Sequence, residues 1–435
     1  METGLAAGYA VETAAEGAVG AGIALAKSTM PLKANWQRIS IGTPLPRSSH
    51  SLSIVGGVAY IFGGEERPRE PVENDMHLVT LPSSGADADY KKVSARSNNE
   101  GGEVPAARVG HTANAIGHRI YVFGGRGGKA IEPLAEKGRV WIFDTMAAQW
   151  SFLNPPEGSI YPEPRSYHAS SATAHPLHTS YGQLESRFDP LPVDTGTHGT
   201  IFIHAGCSAK GRLGDLWAFD VNTSTWTKFP DPPGPVRGGP SLTYALNRLY
   251  RYGGFDGENE LGGQMDCLDI SVSSEAKGEG LGHGGQWKSV TISPDALSPG
   301  NRSVAGLHPV TTGQGRNYLL LCLGEKTPSL SGHDGAGEFW GTVWSFQLHS
   351  ESMTAASFKD ATRRLLHAKT GENAWAQVDI PEASMEAGQL DGPRPRGWFA
   401  SAPGADIGTQ MLVLWGGVQA NNERANDGWL LTIES

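Results

Sequence analysis

The sequence is poor in charge and in cysteine for a chain of its length. Only 18% of its 435 residues are charged, and the formal net charge is −10. No lysine and arginine cluster offers the basic surface that holds nucleic acid phosphates, so we expect no nucleic acid partner. Three cysteines, Cys207, Cys267 and Cys322, stand in apolar contexts without paired spacing. Free buried thiols are typical of a reducing compartment, and we expect a cytoplasmic protein.

Long hydrophobic runs are also missing. The first 28 residues carry three glutamates and no basic start, which is typical of neither a signal peptide nor a membrane span. We therefore expect no membrane partner. The alanine content of this region favours a helix, so residues 1–34 are predicted to be a helical N-terminal extension, with the main domain over residues 35–435.

Glycine and tryptophan are abundant, with 58 and 12 residues, and they recur in a pattern repeated six times. Each unit has an arginine followed by small residues ("PRSSHSLSI"), an apolar run ending at glycine ("VAYIFGG"), an aromatic segment ("DLWAFD") and often a tryptophan segment ("STWTKF"). Four short strands per unit predict an all-β, six-bladed β-propeller. The glycine pair and spaced aromatic residues resemble the kelch repeat, and this resemblance covers nearly all of residues 36–435.

The two ends of the repeat region complement each other. The sixth unit ends at "DGWLLTIES" without a fourth strand, whereas "ANWQRISIG" near residue 36 is a fourth strand without a unit before it. We predict that residues 36–41 pair with residues 428–433 and close the ring, which removes exposed sheet edges. Residues 172–198 interrupt the third blade between its first two strands. Residues 350–370 predict a helix on the outside of the fifth blade, packed through an apolar stripe of Phe358, Leu365 and Leu366.

The opening arginines and the loops after the glycines should surround one mouth of the propeller. The first strand of a blade begins, and the second ends, at the same face. A ring of guanidinium groups there favours a small polar or anionic ligand. Trp340, near the mouth, would either stack on a planar ligand or pack in the core. Alternatively, the arginines hydrogen-bond neighbouring loops as part of the fold. The expected ligand-binding arginines are Arg47, Arg108, Arg165, Arg237, Arg302 and Arg396.

One long loop carries the candidate chemistry. The stretch "CLGEKTPSLSGHDGAGEFWGTVWSF", residues 322–346, resembles a loop of the plant thiohydroxamate-forming and nitrile-specifier proteins. This resemblance implies Fe(II) binding by Glu325 and His333, with Ser329 at a position where that family has aspartate. A serine removes a negatively charged oxygen ligand, so we expect weak iron binding. Without metal, Glu325 and His333 would be a catalytic acid–base pair.

Two classes of function stay open at this point. In the first, the protein is a lyase-, isomerase- or cyclase-like enzyme of specialised metabolism that acts on a polar or reactive intermediate, with iron assisting. In the second, the propeller is a non-catalytic scaffold whose mouth binds a protein partner.

Overall fold

Six four-stranded antiparallel sheets make up the protein in a computed structural model. The structure describes residues 30–81, 88–128, 130–175, 196–270, 285–292, 296–313, 315–331, 335–349, 354–367, 369–381, 392–404 and 410–434. We number the sheets blade 1 to blade 6, from the first complete sheet in the chain. The strands, from the innermost to the outermost of each blade, are Ser51–Val55, Val58–Phe62, Met76–Thr80 and Asp89–Val93; Thr112–Ile116, Arg119–Phe123, Val140–Asp144 and Gln149–Leu153; Ala169–Thr173, Thr200–Ser208, Gly211–Asp220 and Thr225–Phe229; Ser241–Ala245, Arg248–Tyr252, Gln264–Asp269 and Lys288–Thr291; Gly306–Thr311, Asn317–Cys322, Val343–Gln347 and Trp375–Gln377; and Ala400–Pro403, Met411–Trp415, Gly428–Ile433 and Ala34–Ile39.

The core lies between neighbouring blades. The second and third strands of a blade are apolar on both faces because each face is covered by the next blade. Between blades 2 and 3, for example, Tyr121 and Phe123 pack in one cluster with Phe219 and Trp226. The Phe123 and Trp226 rings lie 4.9 Å apart, centre to centre, and are tilted by 56°. The all-β prediction and the six units are confirmed by this arrangement.

The ring is closed by the N-terminal strand. Innermost strands contact one another in sequence order, and the innermost strand of blade 6 contacts that of blade 1. Ala34–Ile39 pairs antiparallel with Gly428–Ile433, so that Ala34 lies opposite Ile433 and Ile39 opposite Gly428. The predicted closure is thus confirmed, with the N-terminal strand two residues earlier than expected. The expected helix over residues 1–34 falls mainly on residues 1–29, which lie outside the described residues.

The helix predicted in blade 5 forms, but its orientation was predicted wrongly. It runs over Ala355–Leu365, and Thr354 caps it by accepting a hydrogen bond from the Ser357 backbone N–H. The predicted stripe faces outward: Phe358, Leu365 and Leu366 are 74%, 81% and 66% exposed. The buried positions are instead Ala356 and Asp360, because Asp360 forms a buried ion pair with Arg316 at 2.5 Å. None of the helices described is long and apolar enough to cross a bilayer.

Candidate functional site

The six repeat arginines are part of the blades. Each is at most 5% exposed, and each guanidinium donates a hydrogen bond to the carbonyl of the residue that ends the second strand's apolar run. The bonds join Arg47 to Gly63 (2.8 Å), Arg108 to Gly124 (2.9 Å), Arg165 to Ala205 (3.0 Å), Arg237 to Gly253 (2.9 Å), Arg302 to Leu323 (2.7 Å) and Arg396 to Gly416 (3.1 Å).

Four of these arginines also bind a carboxylate at the start of the third strand. Arg108 contacts Glu136 with both terminal nitrogens, at 2.8 and 3.0 Å, and Trp141 Nε1 donates to the same carboxylate. Blades 3 and 6 have equivalent bidentate pairs with Asp215 and Asp427, whereas in blade 1 Glu73 accepts a single hydrogen bond from Arg47. A bidentate pair of this kind fixes geometry as well as adding energy. The repeated aromatic segments such as "DLWAFD" therefore encode a structural clamp.

The expected open ring of ligand-binding arginines is accordingly not what the structure contains. Arg47, Arg108, Arg165, Arg237, Arg302 and Arg396 direct their guanidinium groups into their own blades, so the fold uses the donors that a ligand would need. Arg237 and Arg302 hydrogen-bond only to backbone carbonyls among the described residues, so blades 4 and 5 lack the clamp. Burial, and for Arg237 also the nearby charge of Arg251, lowers the pKa of each to about 10.

The face of the molecule was nevertheless predicted correctly. In every blade, the residue after the repeat arginine pairs with the residue after the glycines. Examples are Ser48 with Glu65, Val109 with Arg126 and Ser303 with Glu325. The hairpins that follow the second strands therefore surround one mouth of the channel. We call this face, with its hairpins, the mouth.

A collar of backbone hydrogen bonds narrows the base of the mouth. The collar residues stand two positions after the repeat arginines, and all have a left-handed φ between 46° and 64°. The N–H groups of Ser49, Gly110, Tyr167, Gly239 and Val304 donate to the preceding collar carbonyl at 2.7–2.9 Å. A β-branched residue such as Val304 is strained at positive φ, so the ring geometry overrides local preference here. The collar residues are Ser49, Gly110, Tyr167, Gly239, Val304 and Trp398.

Two arginines other than the repeat arginines supply positive charge to the mouth. Arg126, in blade 2, donates from Nε to Ser166 at 2.8 Å, and its guanidinium lies 5.3 Å from the centre of the Tyr167 ring. Arg212, in blade 3, lies 4.8 Å from the ring centre of Phe255. Both side chains are half-buried, and neither forms an ion pair with a carboxylate in the part of the chain that is described. Their charge is therefore available to an anionic group.

Two buried carboxyl groups face the mouth from blades 4 and 5. Glu260 and Glu325 are 6% and 4% exposed, and both belong to post-glycine hairpins. Glu260 accepts a hydrogen bond from Ser303 Oγ at 3.1 Å, whereas its Oε2 and the Glu325 Oε1 have no hydrogen-bond partner among the residues described. Burial, together with a neighbouring acidic group, raises the pKa of each to about 8. Such groups are protonated at neutral pH.

Glu65, a third buried carboxylate at the mouth, has its charge neutralised by an arginine. Glu65 of blade 1 pairs with Arg424 of blade 6 at 2.9 Å. Blades 2 and 3 thus carry unpaired positive charge, and blades 4 and 5 carry the two buried carboxyls. In a six-bladed ring, blade 2 stands opposite blade 5, so Arg126 and Glu325 are on opposite sides of the mouth.

The long loop begins as a short hairpin in which Glu325 pairs with Phe339. Ser329 is half-buried, and its Oγ is hydrogen-bonded to Ser331 Oγ at 3.0 Å. His333 lies outside the described residues. Trp340 is next to Arg302, with the guanidinium 5.1 Å from its ring centre, and its Nε1 donates to the Asn301 carbonyl. The structure therefore places Trp340 over a buried repeat arginine.

The channel at and below the collar contains a cavity of about 220 Å³ whose lining residues include no lysine, arginine, aspartate or glutamate. Hydroxyl groups and buried imidazoles line it together with apolar side chains such as Leu52 and Leu242. His111 Nε2 lies 2.9 Å from Ser51 Oγ, and His308 Nε2 lies 2.8 Å from Ser401 Oγ. Burial lowers the pKa of His308 to about 4, so its imidazole is neutral at pH 7. Charge recognition must therefore occur at the mouth.

Sequence reasoning missed Glu260 and Arg212. Both lie on the return arm of a post-glycine hairpin, where Glu260 pairs with Phe255 and Arg212 with Cys207. The sequence could have indicated them, because the residue that pairs with the post-glycine residue in each hairpin also faces the mouth. Arg126 directly follows a glycine pair, and this post-glycine position also faces the mouth.

Comparison with known proteins agrees with the fold and with the repeat. The family model for the KLHDC2/KLHL20/DRC7 Kelch-repeats domain matches residues 29–189. The solved structure of YjhT superposes with a TM-score of 0.55 and 14% identity over 90% of this chain and 99% of that one. The chain is thus a six-bladed β-propeller whose residues 29–189 match a kelch-repeat domain.

Two relatives match different shares of this chain. The N-(sulfonatooxy)prop-2-enimidothioate sulfolyase of Thlaspi arvense is 22% identical over 410 residues, which are 93% of this chain and 98% of that protein. Kelch domain-containing protein 3 of Homo sapiens is 26% identical over 245 residues, or 54% of this chain. The alignment spans about half of the human protein, at 55% of its length.

Proposed function

We propose that the mouth is the active site of a lyase-like enzyme that expels an oxyanion from a small molecule. One observation carries this proposal: Glu260 and Glu325 are buried at the mouth, and each has a carboxyl oxygen without a hydrogen-bond partner in the described parts of the chain. Buried polar atoms normally have partners, so a pair of open oxygens in a concave site favours a ligand there. The sulfolyase relative, aligned over nearly its whole length, supports the same class of reaction.

The charges of the mouth suit such an elimination. Arg126 and Arg212 would hold the anionic group, since guanidinium nitrogens match the planar edges of oxyanions. Protonated Glu325 would donate its proton to the leaving oxygen as the bond to that oxygen breaks with both electrons. With sulfate as the leaving group, the hydrogen sulfate released is a stronger acid than Glu325 and would return the proton to the carboxylate, while the negatively charged sulfur of the remaining fragment would supply the electrons for its new bond. Glu325 thus returns to its starting state, and no proton is consumed overall.

An Fe(II) site at the mouth would need Glu325 and further ligands. Glu325 has the open carboxyl oxygen that a ferrous ligand needs. Ser329 is hydrogen-bonded to Ser331, and no cluster of three His, Cys, Asp or Glu side chains occurs within the described ranges. The described residues alone therefore do not fit an iron site, and His333 would have to complete it. The proton transfers proposed for Glu325 do not require a metal.

The alternative is a scaffold whose mouth binds a peptide. A peptide-binding mouth needs hydrogen-bonding groups but no proton transfer. The two proposals therefore separate at Glu325, because a glutamine there keeps the shape and the hydrogen bonds but cannot exchange a proton.

A sulfate-release assay tests the enzyme proposal. The probe is N-(sulfonatooxy)prop-2-enimidothioate, and the measurement is inorganic sulfate released above the uncatalysed rate. We expect wild-type protein to accelerate release and Glu325→Gln to reduce kcat by about 100-fold, the usual contribution of a general acid. Glu338→Gln, on the same hairpin but 66% exposed, is the matched control. Equal rates for Glu325→Gln and wild type would exclude Glu325 as the proton donor.

A further inference from the structure

The guanidinium of Arg126 is held at two points by adjacent residues of blade 3. Its Nε donates a hydrogen bond to Ser166 Oγ at 2.8 Å, and its central carbon lies 5.3 Å from the centre of the Tyr167 ring. The hydrogen bond fixes one edge of the group, and the ring covers one face. The two terminal nitrogens form no hydrogen bond or ion pair with the described residues. These contacts therefore leave both terminal nitrogens to a ligand in the mouth.

Tyr167 is itself fixed by its neighbours in the collar. Its backbone N–H donates to the Gly110 carbonyl at 2.7 Å, and its carbonyl accepts from Gly239 at 2.8 Å. A Cβ atom on Gly110 would come within 2.9 Å of two carbons of the Tyr167 ring, so the ring can lie here only because blade 2 has glycine at its collar position. The Tyr167 hydroxyl is hydrogen-bonded to the Ser49 side chain of blade 1. The ring is thus held at both ends, and Arg126 lies against a rigid surface.

Arg212, the other mouth arginine, is held less completely. Its guanidinium lies 4.8 Å from the centre of the Phe255 ring, which supports one face. Its Nε is buried without a hydrogen-bond partner among the residues described. The edge of Arg212 is therefore not fixed in the way that Ser166 fixes the edge of Arg126. Of the two arginines, Arg126 is the one whose plane is set before a ligand arrives.

From these contacts we infer that Tyr167, together with Ser166, is a positioning residue that holds Arg126 ready to receive two oxygens of one anionic group. The inference rests on the proposed function and deepens it, because it specifies the class of ligand. A guanidinium edge with two parallel N–H groups matches two oxygens of a sulfate, phosphate or carboxylate group. A halide ion has a single centre and gains nothing from that plane. The mouth should therefore prefer oxyanions to halides.

Loss of the Tyr167 ring should change this preference without changing the charge of the mouth. An Arg126 guanidinium that turns freely keeps its positive charge and still attracts any small anion. It no longer presents both terminal nitrogens in one plane, so the cost of ordering the side chain falls on the binding of a two-oxygen anion. Halide binding needs no such plane. A residue that only supported the fold would instead weaken both kinds of anion alike.

Calorimetric titration of the full chain with sodium sulfate tests the inference, and sodium iodide, measured by its displacement of sulfate, is the halide probe. We expect Tyr167→Leu to weaken sulfate binding by about fivefold, the usual cost of ordering one long side chain, and to change iodide binding by less than about twofold. Tyr167→Phe keeps the ring beneath the guanidinium and should bind sulfate within about twofold of wild type. Adding Tyr167→Leu to Arg126→Leu should cause no further loss, because Tyr167 acts through Arg126.

Tyr90→Leu is the matched control, since this half-buried tyrosine is on the outermost strand of blade 1 and its loss should leave sulfate binding unchanged. If circular dichroism shows that Tyr167→Leu does not fold, Ser166→Ala releases the same guanidinium at its edge. That variant should lower the preference for sulfate over iodide by at least about twofold, because one hydrogen bond is lost.

The inference is wrong if Tyr167→Leu binds sulfate as wild type does, if sulfate and iodide binding are weakened alike, or if the loss persists in the Arg126→Leu background. The proposed elimination fails separately. Protein that shows the expected sulfate binding but releases no sulfate from N-(sulfonatooxy)prop-2-enimidothioate would overturn the elimination and support this inference. Wild-type protein that binds no sulfate would contradict both.

Discussion

At the scale of single residues, the two carboxyls of the mouth are the most informative groups. A buried glutamate normally has a partner for each oxygen, whereas Glu260 Oε2 and Glu325 Oε1 have none among the described residues, and Ser303 donates only to Glu260. Their raised pKa values follow from burial and from each group's acidic neighbour. This arrangement keeps a proton in the mouth at neutral pH, and it also makes the stability of the fold depend on pH.

The first prediction concerns this pH dependence. The pKa of Glu325 is about 8 in the folded protein, because burial and the neighbouring Glu260 raise it from the ordinary value of 4.5 that the unfolded chain has. Its protonated form is therefore the one that suits the fold: its contribution is complete below pH 4.5 and is lost as pH rises through 8. Glu325→Gln removes the titration. We expect the variant to gain stability relative to wild type as pH rises, by at most about 1.4 kcal/mol per pH unit.

Urea unfolding at several pH values between 5 and 9 measures this difference, with Glu338→Gln as the control because that side chain is 66% exposed. A difference between wild type and Glu325→Gln that stays constant with pH would contradict the assigned environment of Glu325.

The second prediction concerns Fe(II). If His333 completes a site with Glu325, Fe(II) should bind weakly to wild-type protein, and His333→Ala should abolish binding. Ser329→Asp should raise the affinity, because it adds a charged oxygen ligand of the kind ferrous iron prefers. Anaerobic calorimetric titration measures all three. Equal binding by the three proteins, or binding by none, would remove iron from the account.

At the scale of structural elements, the clamp explains why the repeat has the residues it has. An arginine at the first strand, a glycine at the end of the second and an acidic–aromatic pair at the third are held together by one guanidinium. The sequence pattern alone predicted the blades because these four positions recur in most units. It could not show whether the arginines point into the blade or into the mouth, since both directions begin at the same strand end.

The third prediction separates the two kinds of arginine. Arg108→Ala leaves Glu136 without its ion-pair partner and should cost about 3–5 kcal/mol of unfolding free energy, as for other buried pairs. Arg126→Ala removes one hydrogen bond to a serine and should cost about 1 kcal/mol. Chemical denaturation of both variants measures the contrast. Comparable losses would mean that Arg126, too, is a structural residue.

The helix shows where pattern reading fails for an element. The period of Phe358, Leu365 and Leu366 correctly predicted a helix, but the buried side was decided by Arg316, a residue about 40 positions earlier in the chain. Such a partner cannot be found from helical spacing. The same limit applied to Glu260, whose importance depends on Glu325 in the neighbouring blade.

At the scale of the whole molecule, ring closure by the N-terminal strand holds the first and last parts of the chain together. Trp36 of this strand contacts Trp429 of blade 6, with ring centres 6.5 Å apart. Ala34, Leu431 and Ile433 are buried in the cluster that blade 6 shares with blade 5. Closure could be predicted because the missing fourth strand at one end matched the extra strand at the other.

The fourth prediction tests this closure with two truncations. Removing residues 1–39 deletes the closing strand, whereas removing residues 1–29 retains it and serves as the matched reference. We expect the longer truncation to lower Tm by more than about 10 °C relative to the shorter one, because it exposes an apolar sheet edge. Differential scanning calorimetry gives both values. Equal Tm values would show that the ring does not depend on this strand.

Recognition of an oxyanion by Arg126 and Arg212 can be measured by calorimetric titration with inorganic sulfate. Charge-assisted hydrogen bonds contribute about 1.5–3 kcal/mol each, so Arg126→Leu and Arg212→Leu should each weaken sulfate binding at least about tenfold. Lys210→Leu, on a side chain that is 87% exposed in the same hairpin region, should bind sulfate as wild type does. Sulfate binding that is absent in wild-type protein, or unchanged in both arginine variants, would contradict the account.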